Sequence, residues 1–178
     1  WFEDGRLKST NTDVEGFVGA LDAAAPGWDK RTDVAVVLGA GGAARAVVHG
    51  LIERGVGEVR VVNRTVAKAE GLRERFGTAI RPVAWSDMAE ALDGAQLLVN
   101  ATSLGMHGEP SLEVDLAGLG DGAVVADIVY VPLRTNLLRA ADARGFATSN
   151  GLEMLLHQAV RGFELWFGVR PEVTRELY

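Results

Sequence analysis

The chain has 178 residues, of which 48% are hydrophobic, and a formal net charge of −6. These values predict one globular domain with room for part of a second, and they argue against nucleic acid or an anionic membrane as partner, which need clustered Lys and Arg. No apolar run approaches the ~20 residues that span a bilayer. There is no cysteine, and the 3 histidines lack metal-ligand spacing. For this reason we expect no metal site. Since no signal peptide is visible, we also expect a cytoplasmic protein.

The N-terminal stretch has the pattern of a short hairpin. Asp4-Gly5 favours a tight turn between Phe2 and a return strand at residues 6–9. Only a few residues precede this turn, and the first is Trp1 rather than Met. We therefore expect that further residues precede Trp1 in the intact protein and that residues 1–12 are the remnant of a preceding domain.

A polar run at residues 9–13 leads into an apolar pattern that predicts a helix beginning at Asp13. Thr12 can cap this helix, with Glu15 reaching back as the partner of a capping box. Asp13 then lies in the first turn, where the helix dipole favours a carboxylate. Helix capping explains Thr12 and Glu15 but does not require an aspartate at position 13. Asp13 therefore stays a candidate catalytic residue.

Strands and helices alternate from residue 34 onward. The predicted strands are 34–38, 58–62, 79–84, 96–100, 123–128 and 146–149. The predicted helices are 43–53, 66–75, 86–92 with Ser86 as N-cap, 133–144 opened by Pro132, and 152–167. Because parallel strands need crossover helices, residues 13–150 are expected to form an α/β, Rossmann-type doubly wound, mostly parallel sheet with helices on both faces. Residues 151–178 would add C-terminal helices.

A glycine-rich turn joins the first of these strands to its helix, with the spacing Gly39-x-Gly41-x-x-Ala44. In this context the pattern predicts a dinucleotide site. Gly39 permits the tight turn, Gly41 lets a pyrophosphate approach the backbone, and Ala44 keeps the helix close to the strand. The N–H groups of Gly41, Gly42 and Ala43 would face the anion. The alternative is a glycine-rich turn without a ligand.

The end of the second strand indicates which nucleotide is preferred. Asn63-Arg64-Thr65 follows this strand, and Lys68 comes one turn later. NAD sites carry an acidic residue here for the ribose 2′-hydroxyl, whereas Arg64 and Lys68 would attract a 2′-phosphate and Thr65 can hydrogen-bond it. The sequence therefore favours NADP, although the same residues could simply cap the next helix.

Polar side chains also follow later strands, where ligands of such sheets bind. Thr102 and Ser103 suit the nicotinamide end of a cofactor, or they form local turns. Tyr130 offers its hydroxyl to the crevice, unless that group lies in water. Gln158 shares a helix face with Met154; if buried, it needs a hydrogen-bond partner such as a hydroxylated substrate, and otherwise it is exposed.

In order along nearly the whole chain, these stretches resemble the shikimate dehydrogenase family. The matching elements are Asn-Thr-Asp at 11–13, Gly-Ala-Gly-Gly-Ala at 39–43, Asn-Arg-Thr-x-x-Lys at 63–68, Asn-Ala-Thr-Ser-x-Gly-Met at 100–106, Asp-x-x-Tyr-x-Pro at 127–132 and Gly-Leu-x-Met-Leu-x-x-Gln at 151–158. The glycine turn alone is not specific, but the ordered set is.

The resemblance implies NADPH-dependent reduction of 3-dehydroshikimate to shikimate, a step of aromatic amino-acid biosynthesis. It implies substrate contacts for Asp13, Tyr130 and Gln158, with Asp13 also catalytic beside a Lys. That Lys belongs to the family's N-terminal domain, so we expect this chain alone to be inactive. The expected cofactor contacts are Gly39, Ala40, Gly41, Gly42, Ala43, Asn63, Arg64, Thr65, Lys68, Thr102, Ser103, Ile128, Gly151 and Met154.

Three alternative hypotheses about the function are also considered. A quinate/shikimate dehydrogenase that prefers NAD would carry an acidic residue after the second strand, and none is present. Glutamyl-tRNA reductases have a similar glycine turn but need a nucleophilic Cys, which this chain lacks. A non-catalytic NADP-binding module is the rival from another class. Exposed aromatic residues at Phe163, Trp166 and Phe167 would favour self-association as a homodimer.

Overall fold

The computed structural model describes residues 1–177, and its N-terminus is a hairpin. Strands β1 (Phe2–Glu3) and β2 (Arg6–Leu7) pair antiparallel. Between them, Asp4 and Gly5 have φ angles of 51° and 72°. Positive φ at both central residues is what a two-residue hairpin turn requires, so the predicted hairpin is confirmed.

A single six-stranded parallel sheet forms the centre of the fold, in the order β5-β4-β3-β6-β7-β8. Its strands are β3 (Val34–Leu38), β4 (Glu58–Asn63), β5 (Ile80–Ala84), β6 (Leu97–Asn100), β7 (Val124–Asp127) and β8 (Ala147–Ser149). The strand order reverses between β3 and β6, and this switch point is where doubly wound sheets bind ligands.

Helices cover both faces of the sheet. They are α1 (Asp13–Ala24), α2 (Gly42–Glu53), α3 (Val66–Phe76), α4 (Met88–Leu92), α5 (Asn136–Ala143) and α6 (Gly151–Phe167). One core cluster joins α1, α2, α3 and the start of α6 to the sheet, and a second joins α4 and α5 to the other face. The predicted doubly wound α/β fold is thereby confirmed. No helix among residues 1–177 combines the length and apolar character that crossing a bilayer requires.

Two predicted helix starts are wrong. The Ser86 hydroxyl donates to Asp87 Oδ1 at 2.8 Å, and α4 begins only at Met88, after a 3-10 turn. The helix expected to open at Pro132 begins at Asn136. Thr135 anchors that start because its buried hydroxyl accepts from the Leu138 N–H at 3.4 Å.

The predicted capping box at the start of α1 is also wrong. Thr12 occupies the N-cap position, but its side chain makes no capping hydrogen bond. The Asp13 N–H is instead bonded by the Asn11 side-chain oxygen at 2.8 Å. An Asx-type turn at Asn11 thus satisfies the first N–H group of the helix, whereas the Thr12 side chain does not bond the N–H groups of Val14 or Glu15 that a cap would use.

Candidate functional site

The loops after β3 and β6 touch at the switch point of the sheet. Gly39 has a φ of +102°, and a Cβ built on it would lie 2.9 Å from the Ala101 carbonyl oxygen and 3.0 Å from the Thr102 methyl group. Both the backbone conformation and the close approach therefore require glycine at this position.

The next glycines face open space instead. A Cβ added to Gly41 or Gly42 would meet no atom within 4 Å, and both residues are exposed at the start of α2. A side chain at either position would therefore not clash with the protein. It would, however, occupy the space in front of the helix N-terminus. Ala44, by contrast, is fully buried between helix and sheet. This arrangement fits an anion held by backbone N–H groups and the helix dipole.

A basic cleft of about 740 Å³ opens beside this turn. Its lining residues are Ala40, Gly41, Gly42, Arg45, Lys68, Gly71, Leu72, Glu74 and Arg75. Three cationic side chains and one carboxylate line it, although the protein as a whole has a net charge of −6. The sequence motifs did not predict a role for Arg45 or Arg75. The seven-residue spacing of Lys68 and Arg75, two helical turns on one face, was the available signal for Arg75.

The segment after β4 is ordered by its own asparagine. Asn63 Nδ2 donates to the Thr65 carbonyl oxygen at 2.8 Å. Thr65 occupies the N-cap position of α3, but its side chain makes no capping hydrogen bond. Arg64 and Thr65 are exposed, and Arg64 lies outside the set of residues that line the basic cleft.

A buried polar network joins β6 and β7 beneath the switch point. Asp127 is 2% exposed, and its carboxylate accepts from Asn100 Nδ2 at 2.9 Å, the Thr135 hydroxyl at 2.7 Å and the Val129 N–H at 3.0 Å. Burial raises the pKa of Asp127, and the three donors oppose this shift by stabilising the carboxylate. The network fixes the direction in which both loops leave the sheet.

Thr102 makes the hydrogen bonds of a local turn, which was the alternative to a cofactor contact for this residue. Its hydroxyl donates to Asn100 Oδ1 at 2.7 Å and accepts from the Leu104 N–H at 3.1 Å. Ser103, the next residue, is exposed. Of these two adjacent candidates, therefore, Thr102 has its hydroxyl engaged within its own loop, and Ser103 is the more exposed residue.

The start of α6 lies directly against the end of β7. A Cβ on Gly151 would be 2.2 Å from the Ile128 carbonyl oxygen, so only glycine allows this approach. Asn150 caps α6, and Glu153 completes a capping box. Met154 is 9% exposed and belongs to the core cluster, whereas Tyr130 is 51% exposed.

Asp13 lies in a second cleft, of about 460 Å³, that adjoins the basic one. Gly42, Arg45 and Arg75 line both clefts. Within residues 1–177, the Asp13 carboxylate accepts one long hydrogen bond, from Asn11 Nδ2 at 3.4 Å. It therefore keeps unused acceptor capacity near the glycine turn.

Gln158 lines a different cavity, an apolar groove of about 500 Å³ along α6. The groove is also lined by Thr12, the residue before Asp13, and by aromatic residues such as Phe163 and Trp166. A Cβ on Gly16, one turn after Asp13, would be 2.5 Å from Gln158 Cβ. The structure thus brings α1 and α6 close together at these candidates. The self-association expected from the exposed aromatic residues stays a prediction.

Two family profiles match the chain. The profile for shikimate / quinate 5-dehydrogenase matches residues 24–107, and that for the shikimate 5'-dehydrogenase C-terminal domain matches residues 151–175. The chain is 61% identical over 177 residues to the shikimate dehydrogenase (NADP(+)) of Rhodopseudomonas palustris strain TIE-1, and 62% identical to that of Nitrobacter hamburgensis. Each match covers 99% of this chain, which spans 63% and 62% of the two relatives.

Solved structures agree with the sequence matches. A quinate dehydrogenase from Corynebacterium glutamicum in complex with NAD has a TM-score of 0.85 at 34% identity, over 94% of this chain and 61% of its own. A shikimate 5-dehydrogenase from Thermus thermophilus in complex with NADP(H) and shikimate has a TM-score of 0.78 at 39% identity, over 96% and 61%. Since both family profiles and these relatives agree in sequence and in fold, the chain belongs to the shikimate dehydrogenase family.

Proposed function

We propose that this chain is the cofactor-binding part of an NADP-dependent shikimate dehydrogenase, which reduces 3-dehydroshikimate to shikimate. The observation that carries the proposal is the basic cleft beside the glycine turn, combined with Arg64 in place of an acidic residue after β4. A 2′-phosphate needs cations in this place, and a carboxylate would repel it. The relatives at about 60% identity, whose names specify NADP(+), support the choice.

The cofactor would be held along the carboxyl edge of the sheet. Backbone N–H groups of the turn at residues 39–43 bind the pyrophosphate, and Arg64, Thr65 and Lys68 bind the 2′-phosphate. On the nicotinamide side the contacts come from the ends of β6 and β7 and the start of α6: Thr102, Ser103, Ile128, Gly151 and Met154. When bound, the nicotinamide supplies the hydride.

The substrate would be oriented by Asp13, Tyr130 and Gln158. The free acceptor capacity of the Asp13 carboxylate suits it to accept a hydrogen bond from a substrate hydroxyl and to pair with a Lys elsewhere in the longer protein. Such a Lys can donate a proton to the oxygen that gains charge during reduction. Asp13 thus keeps the Lys charged and correctly placed.

The domain division follows from the same proposal. Residues 1–12 would belong to a substrate domain, residues 13–150 to the cofactor domain, and residues 151–178 to helices that pack back toward the substrate domain. The chain spans only about 63% of the length of its curated relatives, which supports this division. The exposed aromatic residues of α6, including Trp166 at 70% exposure, would be covered in that arrangement.

An NAD-dependent quinate dehydrogenase is the second candidate. It is favoured by the structural similarity to the Corynebacterium glutamicum enzyme, which was solved with NAD. Against it stand the absence of an acidic residue after β4 and the cations of the basic cleft. Cofactor preference therefore separates the two candidates.

Titration calorimetry of the 178-residue chain with NADP and NAD tests the cofactor assignment. We expect NADP to bind more tightly, and Arg64→Ala to weaken NADP about tenfold while leaving NAD nearly unchanged, because only NADP carries the 2′-phosphate. Arg73→Ala, which removes an exposed cation of α3 outside the cleft, is the matched control. Equal losses for both nucleotides would refute the phosphate assignment of Arg64.

The activity requires a separate assay on the full-length protein. We expect shikimate-dependent formation of NADPH, with a weaker response to quinate. Asp13→Asn should lower the rate while NADP affinity stays unchanged. If the chain binds NADP but the full-length protein ignores both shikimate and quinate, a non-catalytic NADP-binding module becomes the better explanation.

A further inference from the structure

Arg45 is a cationic side chain of the basic cleft to which neither the sequence motifs nor the family resemblance gives a function. It lies in the first turn of α2, three residues after Gly42. Lys68 and Arg75 line the same cleft from α3. The two helices therefore present cations to one space, directly beside the turn proposed to bind pyrophosphate.

The cleft cations leave their positive charge without a carboxylate partner, although the Arg75 guanidinium lies over the Phe76 ring, 5.6 Å from its centroid. Within residues 1–177, Arg45, Lys68 and Arg75 make no ion pair with a carboxylate. The arginines that do make one are Arg54, Arg60, Arg81, Arg134, Arg161 and Arg170. Glu74 also lines the cleft, so that its formal charge is about +2 in a protein of net charge −6. Such a local excess of positive charge attracts an anionic group.

Helix geometry favours an orientation of Arg45 and Lys68 toward the carboxyl edge of the sheet. Lys68 and Arg75 are two turns apart on one face of α3. Long side chains on a helix lean toward its N-terminus, and for both α2 and α3 that end lies at the same edge as the glycine turn. Arg45, in the first turn of α2, is therefore close to the edge at which the glycine turn lies, whereas the Arg75 guanidinium lies over the ring of Phe76 at the end of α3.

We propose that Arg45 binds the 2′-phosphate of NADP from the α2 side of the cleft, opposite Lys68, and so contributes to the choice of NADP over NAD. This inference rests on the proposed function. A pyrophosphate would face the N–H groups of Gly41 and Gly42, whereas Arg45 lies farther along α2 and lines the cleft together with Lys68 and Arg75 of α3. A guanidinium fork can bind a phosphate through two parallel hydrogen bonds.

Titration calorimetry with the 178-residue chain tests the proposal, using NADP, NAD, 2′,5′-ADP and 5′-AMP as ligands. We expect Arg45→Ala to weaken NADP and 2′,5′-ADP about tenfold, and NAD and 5′-AMP less than twofold. Arg45→Lys should recover part of the loss because it keeps the charge but not the fork. Arg73→Ala removes the same charge from the same region and should leave all four affinities unchanged. Circular dichroism checks that each variant is folded.

The outcomes distinguish a failure of the cofactor assignment from a failure of the inference about Arg45. If the wild-type chain binds NADP no better than NAD, the cofactor assignment fails, and the inference about Arg45 fails with it. If the wild type prefers NADP but Arg45→Ala weakens all four ligands equally, Arg45 contacts the part that they share, and the 2′-phosphate inference is overturned. Unchanged affinities in Arg45→Ala would overturn it as well.

Discussion

At the residue scale, His157 is the polar side chain whose surroundings fit its chemistry least. Its Nε2 atom is buried and has no hydrogen-bond partner among the residues that the structure describes. The ring packs against Gly19 of α1, where a Cβ would lie 2.9 Å from Nδ1. Burial lowers the pKa of His157, while the nearby carboxylates of Glu153 and Asp22 act in the opposite direction. The native state therefore favours the neutral imidazole.

We predict that His157 makes the fold sensitive to acid. The unfolded chain takes up a proton near the ordinary histidine pKa, about 6.5, and the folded chain does so only at lower pH. The stability contributed by the neutral ring is thus present above the unfolded pKa and is lost as pH falls toward the lowered one. Urea unfolding at pH 7.5, 6.5 and 5.5 should show a smaller decline for His157→Leu than for the wild type.

The exposed His107 provides the control for that series. His107→Gln should keep the pH dependence of the wild type, since its ring lies in solvent. If His157→Leu and the wild type lose stability in parallel between pH 7.5 and 5.5, the buried imidazole is not the source of the acid sensitivity.

At the element scale, the contact between α1 and α6 positions the candidate substrate residues. Gly16 lets the two backbones approach, because a Cβ there would lie 2.5 Å from Gln158 Cβ and 2.7 Å from the Met154 carbonyl oxygen. Asp13 begins α1 one turn before this contact. Any change in the spacing of the helices would therefore move Asp13 relative to Gln158.

We predict that Gly16→Ala forces the two helices apart and destabilises the chain by about 1–3 kcal/mol, the usual cost of overpacking. Gly162→Ala is the matched control, since Gly162 lies inside α6 and a Cβ there meets nothing within 4 Å. That variant should be neutral or more stable by up to about 1 kcal/mol. Urea unfolding measures both, and equal midpoints for the two variants would show that the contact is not tight.

At the scale of the whole molecule, cofactor binding and stability are coupled. The cleft and the glycine turn draw residues from α2, α3 and the loop after β3, so only the folded chain assembles them. A ligand that binds the folded state alone stabilises it by about 2.7 kcal/mol at one hundred times its Kd. The positive local charge also makes this coupling sensitive to salt.

We predict that NADP raises the Tm of the chain by roughly 5–10 °C at one hundred times its Kd, given the usual shift per kcal/mol for a domain of this size. NAD at the same concentration should raise it less, and added salt should reduce the difference. Scanning calorimetry with 2′,5′-ADP in place of NADP is the control for the phosphate. An equal rise with NAD and NADP would contradict the preference.

Local signals account for most of what could be predicted. The apolar run at residues 34–38 and the turn at 39–44 indicated a strand, a helix and their junction, because the pattern and the glycines act over a few residues. The predicted starts of α4 and α5 were wrong, because the residue at which a helix begins depends on which contacts its first turn makes with the rest of the fold. Thr135, for example, is the N-cap residue of α5 and donates a hydrogen bond to Asp127 at the end of β7.

The sequence by itself determined the fold class, the family and the place of the glycine turn, because hydrophobic period and turn chemistry are local properties of the chain. Only the tertiary structure decided that Arg45 and Arg75 share a cleft with Lys68, and that Gln158 and Asp13 line different cavities. Those relations depend on how α1, α2, α3 and α6 pack, and packing joins residues far apart in the chain. A single sequence contains no direct record of such distances.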